Sequence, residues 1–172
     1  MKYLMIITIL SSIMFSQQNP PTTVKYVDLN KYVGLWYEIS KIPNSFQDQC
    51  IKGTTAKYIF SEDGEIRVIN SCTDKNGEVD EADGLARVVD KKTNSKLEVS
   101  FFSIFGWRPI WGDYWIIGLD ENYQWAIVGT PNRKYGWVLG RTPKLESETM
   151  DKINQILKDQ GYDPKKFEIS KQ

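Results

Sequence analysis

NKYVGLWYEISKIPNS, residues 30–45, is the stretch of sequence that decides the fold of this chain. Within it, Gly34-x-Trp36 opens a run in which side chains alternate as they do along a β-strand. A glycine followed by a deeply anchored tryptophan predicts the closed end of a barrel. Arg141, far along the chain in WVLGRTP, offers a cation that would lie across the Trp36 indole if the two segments meet.

The first sixteen residues have the features of a secretory signal peptide. Lys2 precedes an apolar run over 4–15, which is too short to span a bilayer, and Ser16 is the expected last residue before cleavage. Residues 17–172 are then expected to form a single domain. Since no Cys lies near the cleavage region, we expect an exported, soluble protein of the periplasm or the extracellular medium, without a lipoprotein anchor.

Composition argues against several classes of function. Lys and Arg together number 22, as do Asp and Glu, and this balance does not favour a nucleic-acid partner. The chain contains no His, which excludes Ser-His-Asp and Cys-His catalysis and imidazole ligands for a metal or haem. No glycine-rich phosphate loop is present. The sequence therefore predicts a protein that is not an enzyme and that uses no metal or cofactor.

The chain has two cysteines, Cys50 and Cys72. In an exported protein such a pair is expected to form a disulfide, which would close a loop of about 22 residues and contribute roughly 3 kcal/mol. The alternative is a free nucleophilic thiol inside the barrel.

Turn signals rich in Asp, Asn, Gly and Pro divide the remaining sequence into short β-branched and aromatic runs. These runs predict eight strands at about 34–41, 53–60, 65–72, 83–90, 96–103, 113–119, 124–130 and 136–142. Because most connections are short, an all-β, eight-stranded antiparallel up-and-down barrel is favoured over a sandwich. Met150, Ile153, Ile156 and Leu157 then mark one face of a single C-terminal α-helix, which ends near Gly161 and packs outside the barrel. An edge strand is expected at 167–169.

In an antiparallel meander, successive connections alternate between the two ends of the barrel. If the first strand rises from Trp36, the eighth descends and ends at Arg141, beside Trp36. The connections 42–52, 73–82, 104–112 and 131–135 fall at the opposite end and are longer, so they predict a wide mouth.

Alternation along each strand separates inward from outward side chains. Trp36 facing inward places Glu38 inward and leaves Tyr37 and Ile39 outward as a seat for the helix. The same rule, with weaker analogy for the middle strands, places a set of residues where they would contact a ligand. This set is Glu38, Tyr58, Val68, Asn70, Ala86, Val88, Phe101, Tyr114, Ile116 and Trp137. Small inward residues such as Ala56 and Gly84 favour a cavity.

Several segments together resemble the lipocalin family. Residues 30–39 and 43–47 resemble its first conserved region, and 99–102, 112–117 and 135–143 resemble later ones. The match is closest to the bacterial lipocalin branch, which is similar to apolipoprotein D and the plant temperature-induced lipocalins. The resemblance implies a calyx, an eight-stranded cup, that binds a small hydrophobic molecule. For this branch it implies a fatty acid or lysophospholipid.

The candidate site residues have alternative roles. Gly34, Trp36 and Arg141 are expected to be structural. The inward carboxylate of Glu38 is either satisfied by neighbouring side chains or contacts a polar or cationic lipid head.

The mouth loop, residues 104–111, is apolar and includes Phe105, Trp107 and Trp111. It is either a lid folded inward or an exposed surface that makes transient contact with a membrane or a partner. Arg108, Arg133 and Lys134 near the rim are candidates to meet an anionic head group.

Three functions follow from these patterns. The first is binding, transport or storage of a fatty acid or lysophospholipid in the barrel. The second is a calyx isomerase that uses a free Cys. The third is a docking module that uses residues 104–111.

Overall fold

The computed structural model describes residues 19–61 and 65–172, so the predicted signal peptide at 1–16 lies outside the described residues. The strands are bounded as follows: β1 Gly34–Lys41, β2 Cys50–Phe60, β3 Ile66–Asp74, β4 Val79–Val88, β5 Lys96–Ser100, β6 Gly112–Leu119, β7 Trp125–Gly129, β8 Gly136–Gly140 and β9 Glu168–Ile169. Each of the first eight strands pairs antiparallel with its neighbours in the chain, and β1 pairs with both β8 and β2. These pairings confirm the predicted closed, eight-stranded barrel.

One predicted long connection is instead a tight hairpin. Residues 73–82 were expected to form a loop at the mouth, yet β3 and β4 pair without interruption from Ile66↔Ala86 to Thr73↔Val79. Asp74 fixes the turn, because its Oδ1 accepts hydrogen bonds from the backbone N–H groups of Asn76 and Glu78 at 2.8 and 2.9 Å. The sequence VDEAD at 79–83 conceals this strand, since its residues are exposed and lack apolar alternation.

Arg141 closes the base of the barrel against Trp36. Its guanidinium carbon lies 3.7 Å from the centroid of the Trp36 ring, and Trp36 is fully buried. The guanidinium also donates hydrogen bonds of 2.7 to 3.3 Å to the main-chain oxygens of Lys31, Tyr32, Val33, Leu35 and Tyr123. Burial lowers the pKa of Arg141. The contact between Arg141 and Trp36 confirms the prediction made by counting strands.

Gly34 is required at this base for a geometric reason. Its φ is +102°, a conformation that side chains disfavour, and a Cβ there would lie 3.3 Å from Nη1 of Arg141. Trp36 is fixed from the other side, because its indole N–H donates to the carbonyl oxygen of Tyr32 at 2.8 Å.

The segment that precedes β1 lies across the base, an arrangement that the sequence did not indicate. Val24 donates its backbone N–H to the oxygen of Ile116 at 2.9 Å, and Val27 donates to Thr93 at 2.8 Å. Val27 is fully buried, and the short helix α1, Leu29–Tyr32, follows it. The irregular backbone of this segment has no periodicity that sequence reasoning would detect.

Helix α2, Ser147–Asp159, packs on the outside of the barrel as predicted. Its buried residues Ile153 and Leu157 join a cluster with Ile39, Ile127 and Val138. Gly161, with a φ of +77°, follows the helix end. Within the described residues, no helix is long and apolar enough to cross a membrane.

The C-terminal segment bridges a gap in the barrel wall. β1 and β2 pair only from Gly34↔Tyr58 to Tyr37↔Thr55, and their remaining lengths diverge. Beyond that point, β9 pairs with β1 and Gly53 donates its N–H to the oxygen of Lys171 at 2.7 Å. The side chain of Gln172 donates to main-chain oxygens of both strands, Glu38 at 2.6 Å and Thr54 at 3.3 Å.

Three tyrosines separate a packed lower half of the barrel from its upper half. The hydroxyl of Tyr114 lies 2.8 Å from the hydroxyls of both Tyr32 and Tyr58. All three are buried, and Tyr32 packs on Trp36 with their ring centroids 5.1 Å apart. Burial raises the pKa of Tyr58 to about 12 and raises those of Tyr32 and Tyr114 well above 10. The cluster is therefore neutral at physiological pH.

We expect Arg141→Ala to lower the free energy of unfolding by about 3 kcal/mol, because it uncovers Trp36 and leaves several carbonyl groups without their donor. Arg141→Lys should cause a smaller loss, since it keeps the cation but not the fork of donors. The control is Arg67→Ala, which removes an exposed ion pair with Asp83 and should have a much smaller effect. Urea unfolding measures the free energy of unfolding of all three variants. Equal losses of stability for Arg141→Ala and Arg67→Ala would contradict the structural role of Arg141.

The tyrosine cluster predicts alkaline unfolding. A tyrosine whose pKa is higher in the folded state favours folding while it stays protonated, so its contribution is complete below pH 10 and is lost as pH rises through about 12. We expect phenolate absorbance from the cluster to appear together with loss of β-sheet circular dichroism. Tyr114→Phe should reduce that late absorbance change, whereas the exposed control Tyr26→Phe should leave it unchanged. Ionisation of the cluster in a folded barrel would refute the assignment.

Candidate functional site

A cavity of about 640 Å³ occupies the upper half of the barrel and opens at its mouth. Tyr58 and Tyr114 form its base, and Val68, Val128 and Leu139 are among the apolar side chains of its wall. Cavities of this size are typical of sites for small molecules. The cavity exists because long tyrosine side chains fill the width of the barrel at its centre, while Ala56 and Ala82 line the space above them.

Seven of the ten residues predicted to contact a ligand line this cavity. They are Glu38, Tyr58, Val68, Asn70, Phe101, Tyr114 and Trp137. Their contact with a ligand stays a prediction. Tyr114 lies at the base of the cavity, because its hydroxyl reaches those of Tyr32 and Tyr58.

Ala86, Val88 and Ile116 do not line the cavity. Ala86 and Ile116 are buried in the packed core with Trp36, and Val88 packs against that core. Alternation placed them on the inner face of the barrel, but it does not give height along the barrel axis. Gly84 does not enlarge the cavity either, because the Phe101 ring lies 2.6 Å from where a Cβ of Gly84 would stand.

Glu38 is a buried carboxylate with several partners in the cavity wall. Its Oε1 accepts a hydrogen bond from the Ser170 hydroxyl at 2.6 Å and lies 3.3 Å from Nζ of Lys41. Its Oε2 accepts from Nε2 of Gln47 at 2.7 Å. The expectation that neighbouring side chains satisfy this carboxylate is thus met, and Glu38 remains part of the cavity lining.

An aromatic wall, which we define as Phe46, Tyr135 and Trp137, lies beside Glu38 in the cavity. The ring centroids of Phe46 and Tyr135 are 5.0 Å apart, and those of Tyr135 and Trp137 are 6.2 Å apart. Trp137 donates its indole N–H to Oε1 of Gln47 at 3.1 Å, which connects the wall to Glu38. Sequence reasoning missed Phe46 and Tyr135 because both lie in connections at the mouth, where strand alternation does not apply.

The three rim cations are engaged elsewhere. Arg108 donates to the main-chain oxygen of Ser100 at 2.9 Å, and Arg133 donates to the oxygens of Gln160 and Asn19 at 2.7 and 2.6 Å. Lys134 lies 5.1 Å from the centroid of the Tyr135 ring. None of the three lines the cavity.

The mouth loop presents apolar side chains to solvent. Ile104 and Trp107 exchange backbone hydrogen bonds of 2.8 and 2.9 Å around a turn in which Phe105 and Gly106 have positive φ. Phe105 at the tip is fully exposed, and Trp107 is 68% exposed. Trp111 is instead half-buried at the cavity, where Arg87 stacks on its ring at 4.1 Å. The tip of the loop is therefore not folded over the cavity, whereas its last residues, Ile110 and Trp111, line the opening.

Cys50 and Cys72 form a disulfide that joins β2 to β3, with their Cα atoms 5.5 Å apart. Since these are the two cysteines of the chain, the alternative of a free catalytic thiol is wrong. Residues 19–61 and 65–172 contain no group of His, Cys, Asp and Glu side chains that could hold a metal ion.

Comparisons with known proteins agree with this geometry. The family model described as a lipocalin-like domain matches residues 27–172. The outer membrane lipoprotein Blc of Vibrio cholerae is 39% identical over 148 residues, which cover 83% of each chain. Temperature-induced lipocalin-1 of Arabidopsis thaliana is 37% identical over 147 residues, covering 84% of this chain and 78% of the relative. Apolipoprotein D of Macaca fascicularis is 36% identical over 161 residues, covering 90% and 81% respectively.

Among solved structures, insecticyanin from the tobacco hornworm Manduca sexta superposes with a TM-score of 0.71 at 26% identity. The alignment covers 90% of this chain and 85% of insecticyanin. With the Trp36–Arg141 base, the calyx above it and the outer helix, these matches show that the chain belongs to the lipocalin family, whose barrels bind small hydrophobic molecules.

Proposed function

We propose that this lipocalin binds a single-chain lipid, a fatty acid or lysophospholipid, and carries or stores it in the barrel. The observation that supports this most directly is the 640 Å³ cavity, which is closed below by neutral tyrosines and open above. A linear hydrocarbon chain suits a narrow cup of this kind. Each buried CH₂ contributes about 0.8 kcal/mol, so a chain of moderate length supplies affinity with few demands on the head group.

The disulfide also supports a proposal about the compartment. Disulfides persist where the environment is oxidising, and the Cys50–Cys72 bridge therefore supports export of the chain. We propose that the protein acts in the periplasm or the extracellular medium, where a free single-chain lipid requires a carrier.

Filling the cavity should weaken lipid binding. Ala56 lines the cavity and pairs with Trp36 across β1 and β2, so Ala56→Phe places a ring in the space that the lipid would occupy. We expect at least about a tenfold loss of affinity for dodecylphosphocholine, measured by calorimetry, because the ring displaces several buried CH₂ groups.

The matched control is Lys57→Phe, the same new side chain at the exposed neighbouring position on β2. It should bind as the unmodified protein does, and circular dichroism should show both variants folded. If folded Ala56→Phe binds with unchanged affinity, the lipid does not occupy the cavity and the proposal fails.

We further propose that the mouth loop makes transient contact with a membrane surface while lipid is exchanged. Phe105 is fully exposed, Trp107 is 68% exposed and Ile110 is 64% exposed. They lie beside the opening through which a lipid would enter. Side chains of this kind insert shallowly at the boundary between head groups and acyl chains. Charges near the opening are mixed, with Asp80 and Asp113 in the cavity lining and Arg108, Arg133 and Lys134 at the rim, so we expect apolar contact to dominate over charge.

Vesicles of phosphatidylcholine test this contact by co-flotation. We expect the double variant Phe105→Ser/Trp107→Ser to lose at least about fivefold in bound fraction, because two aromatic side chains no longer leave water. Val89→Ser is the control, since Val89 is 57% exposed in the connection that follows β4, at the base of the barrel. Ala56→Phe should still bind vesicles, and equal flotation of the loop variant and the unmodified protein would exclude docking by this loop.

A further inference from the structure

Charge in the cavity is unevenly distributed. Three acidic residues, Glu38, Asp80 and Asp113, line it, whereas no Lys or Arg of the described residues does so. The sequence suggested Arg108 and Arg133 as cations for an anionic head group. Their guanidinium groups instead donate hydrogen bonds to main-chain oxygens. A ligand carboxylate that enters the cavity therefore meets negative charge and no cation to pair with.

Glu38 lies in the cavity wall with both carboxylate oxygens hydrogen-bonded, so it acts on a ligand through its charge and not through a free oxygen. Oε1 accepts a hydrogen bond from Ser170 and forms an ion pair with Lys41. Oε2 accepts a hydrogen bond from Nε2 of Gln47, which is a lining residue. Lys41 is itself outside the lining and offsets Glu38 from within the wall. Even if this pair is counted as neutral, Asp80 and Asp113 leave the cavity with net negative charge.

The aromatic wall adds a second feature that suits a cation. The indole N–H of Trp137 donates to Oε1 of Gln47. The Trp137 side chain therefore offers the cavity a π surface and no free hydrogen-bond donor. Stacked and tilted aromatic rings next to a carboxylate are the arrangement by which proteins recognise quaternary ammonium groups. Lys134 does not line the cavity, but its Nζ lies 5.1 Å from the Tyr135 ring centroid, so a ligand ammonium is expected at Trp137 and Phe46 and not at Tyr135.

We propose that the aromatic wall and Glu38 together form a subsite for the ammonium head group of a single-chain lipid. This inference rests on the proposed lipid-binding function and narrows it to head-group class. The hydrocarbon chain extends down to Tyr58 and Tyr114, and the ammonium lies against Trp137. Lipids that carry a quaternary ammonium are bound in preference to free fatty acids, because the carboxylate of a fatty acid finds acidic side chains and no Lys or Arg among the described residues that line the cavity.

Three amphiphiles with the same twelve-carbon chain test the proposal: dodecyltrimethylammonium, dodecylphosphocholine and dodecanoate. Calorimetric titration below micelle formation, at neutral pH and low salt, should give the trimethylammonium and phosphocholine lipids at least about tenfold tighter binding than dodecanoate. Raising the salt concentration should narrow this difference, since screening weakens attraction to the ammonium and repulsion of the carboxylate alike.

Two variants locate the subsite. Glu38→Gln keeps the size of the side chain and removes its charge, so dodecyltrimethylammonium should bind about threefold to tenfold more weakly and dodecanoate more tightly. Trp137→Leu should lower the affinity for dodecyltrimethylammonium by a similar factor and leave the affinity for dodecanoate nearly unchanged. Glu81→Gln removes an exposed carboxylate outside the cavity lining and should alter neither affinity.

The outcomes separate the two proposals. If none of the three amphiphiles binds, the lipid-binding function itself fails. If dodecanoate binds as tightly as the ammonium lipids, the protein holds lipid but the head-group subsite is wrong. If the preference exists and survives both Glu38→Gln and Trp137→Leu, the ammonium is recognised elsewhere and this assignment is overturned. The salt dependence of the unmodified protein decides the charge argument even if one variant does not fold.

Discussion

The guanidinium of Arg141 lying across Trp36 is the contact on which the rest of the barrel depends. One side chain covers an indole at 3.7 Å and binds main-chain oxygens from α1, β1 and the connection before β7. It therefore joins the first and last parts of the barrel at one end. A barrel closed at its base in this way needs no central packing at its other end, and an empty upper half becomes tolerable.

The tyrosine cluster is the second constraint, since it sets the depth of the cavity. Three neutral hydroxyls satisfy one another within 2.8 Å, so the floor of the cavity is polar without being charged. Below it the side chains pack as a core, and above it they leave space. The result is a cup with a packed core in its lower half and a cavity in its upper half.

The contact of Arg141 with Trp36 at the closed base could be predicted from the sequence, because side-chain alternation and antiparallel strand order require only counting. Seven of the ten residues that were predicted to contact a ligand line the cavity for the same reason. Ala86, Val88 and Ile116 were misplaced because counting gives the face of a strand and not the height along the barrel. Tyr32 escaped notice since it precedes the first strand, in α1. Phe46 and the C-terminal segment owe their positions to irregular backbone. The path of irregular backbone cannot be predicted from a periodic sequence pattern.

In the proposed complex, the hydrocarbon chain lies on the tyrosines and the ammonium head lies at the aromatic wall. Proton NMR of the complex with dodecylphosphocholine measures this orientation directly through nuclear Overhauser contacts. We expect contacts from the choline methyl groups to the rings of Trp137 and Phe46, and from the terminal methyl of the chain to Tyr58 and Tyr114. Contacts of the choline methyl groups with Tyr58 and Tyr114, or of the chain terminus with Phe105 and Trp107 alone, would contradict it.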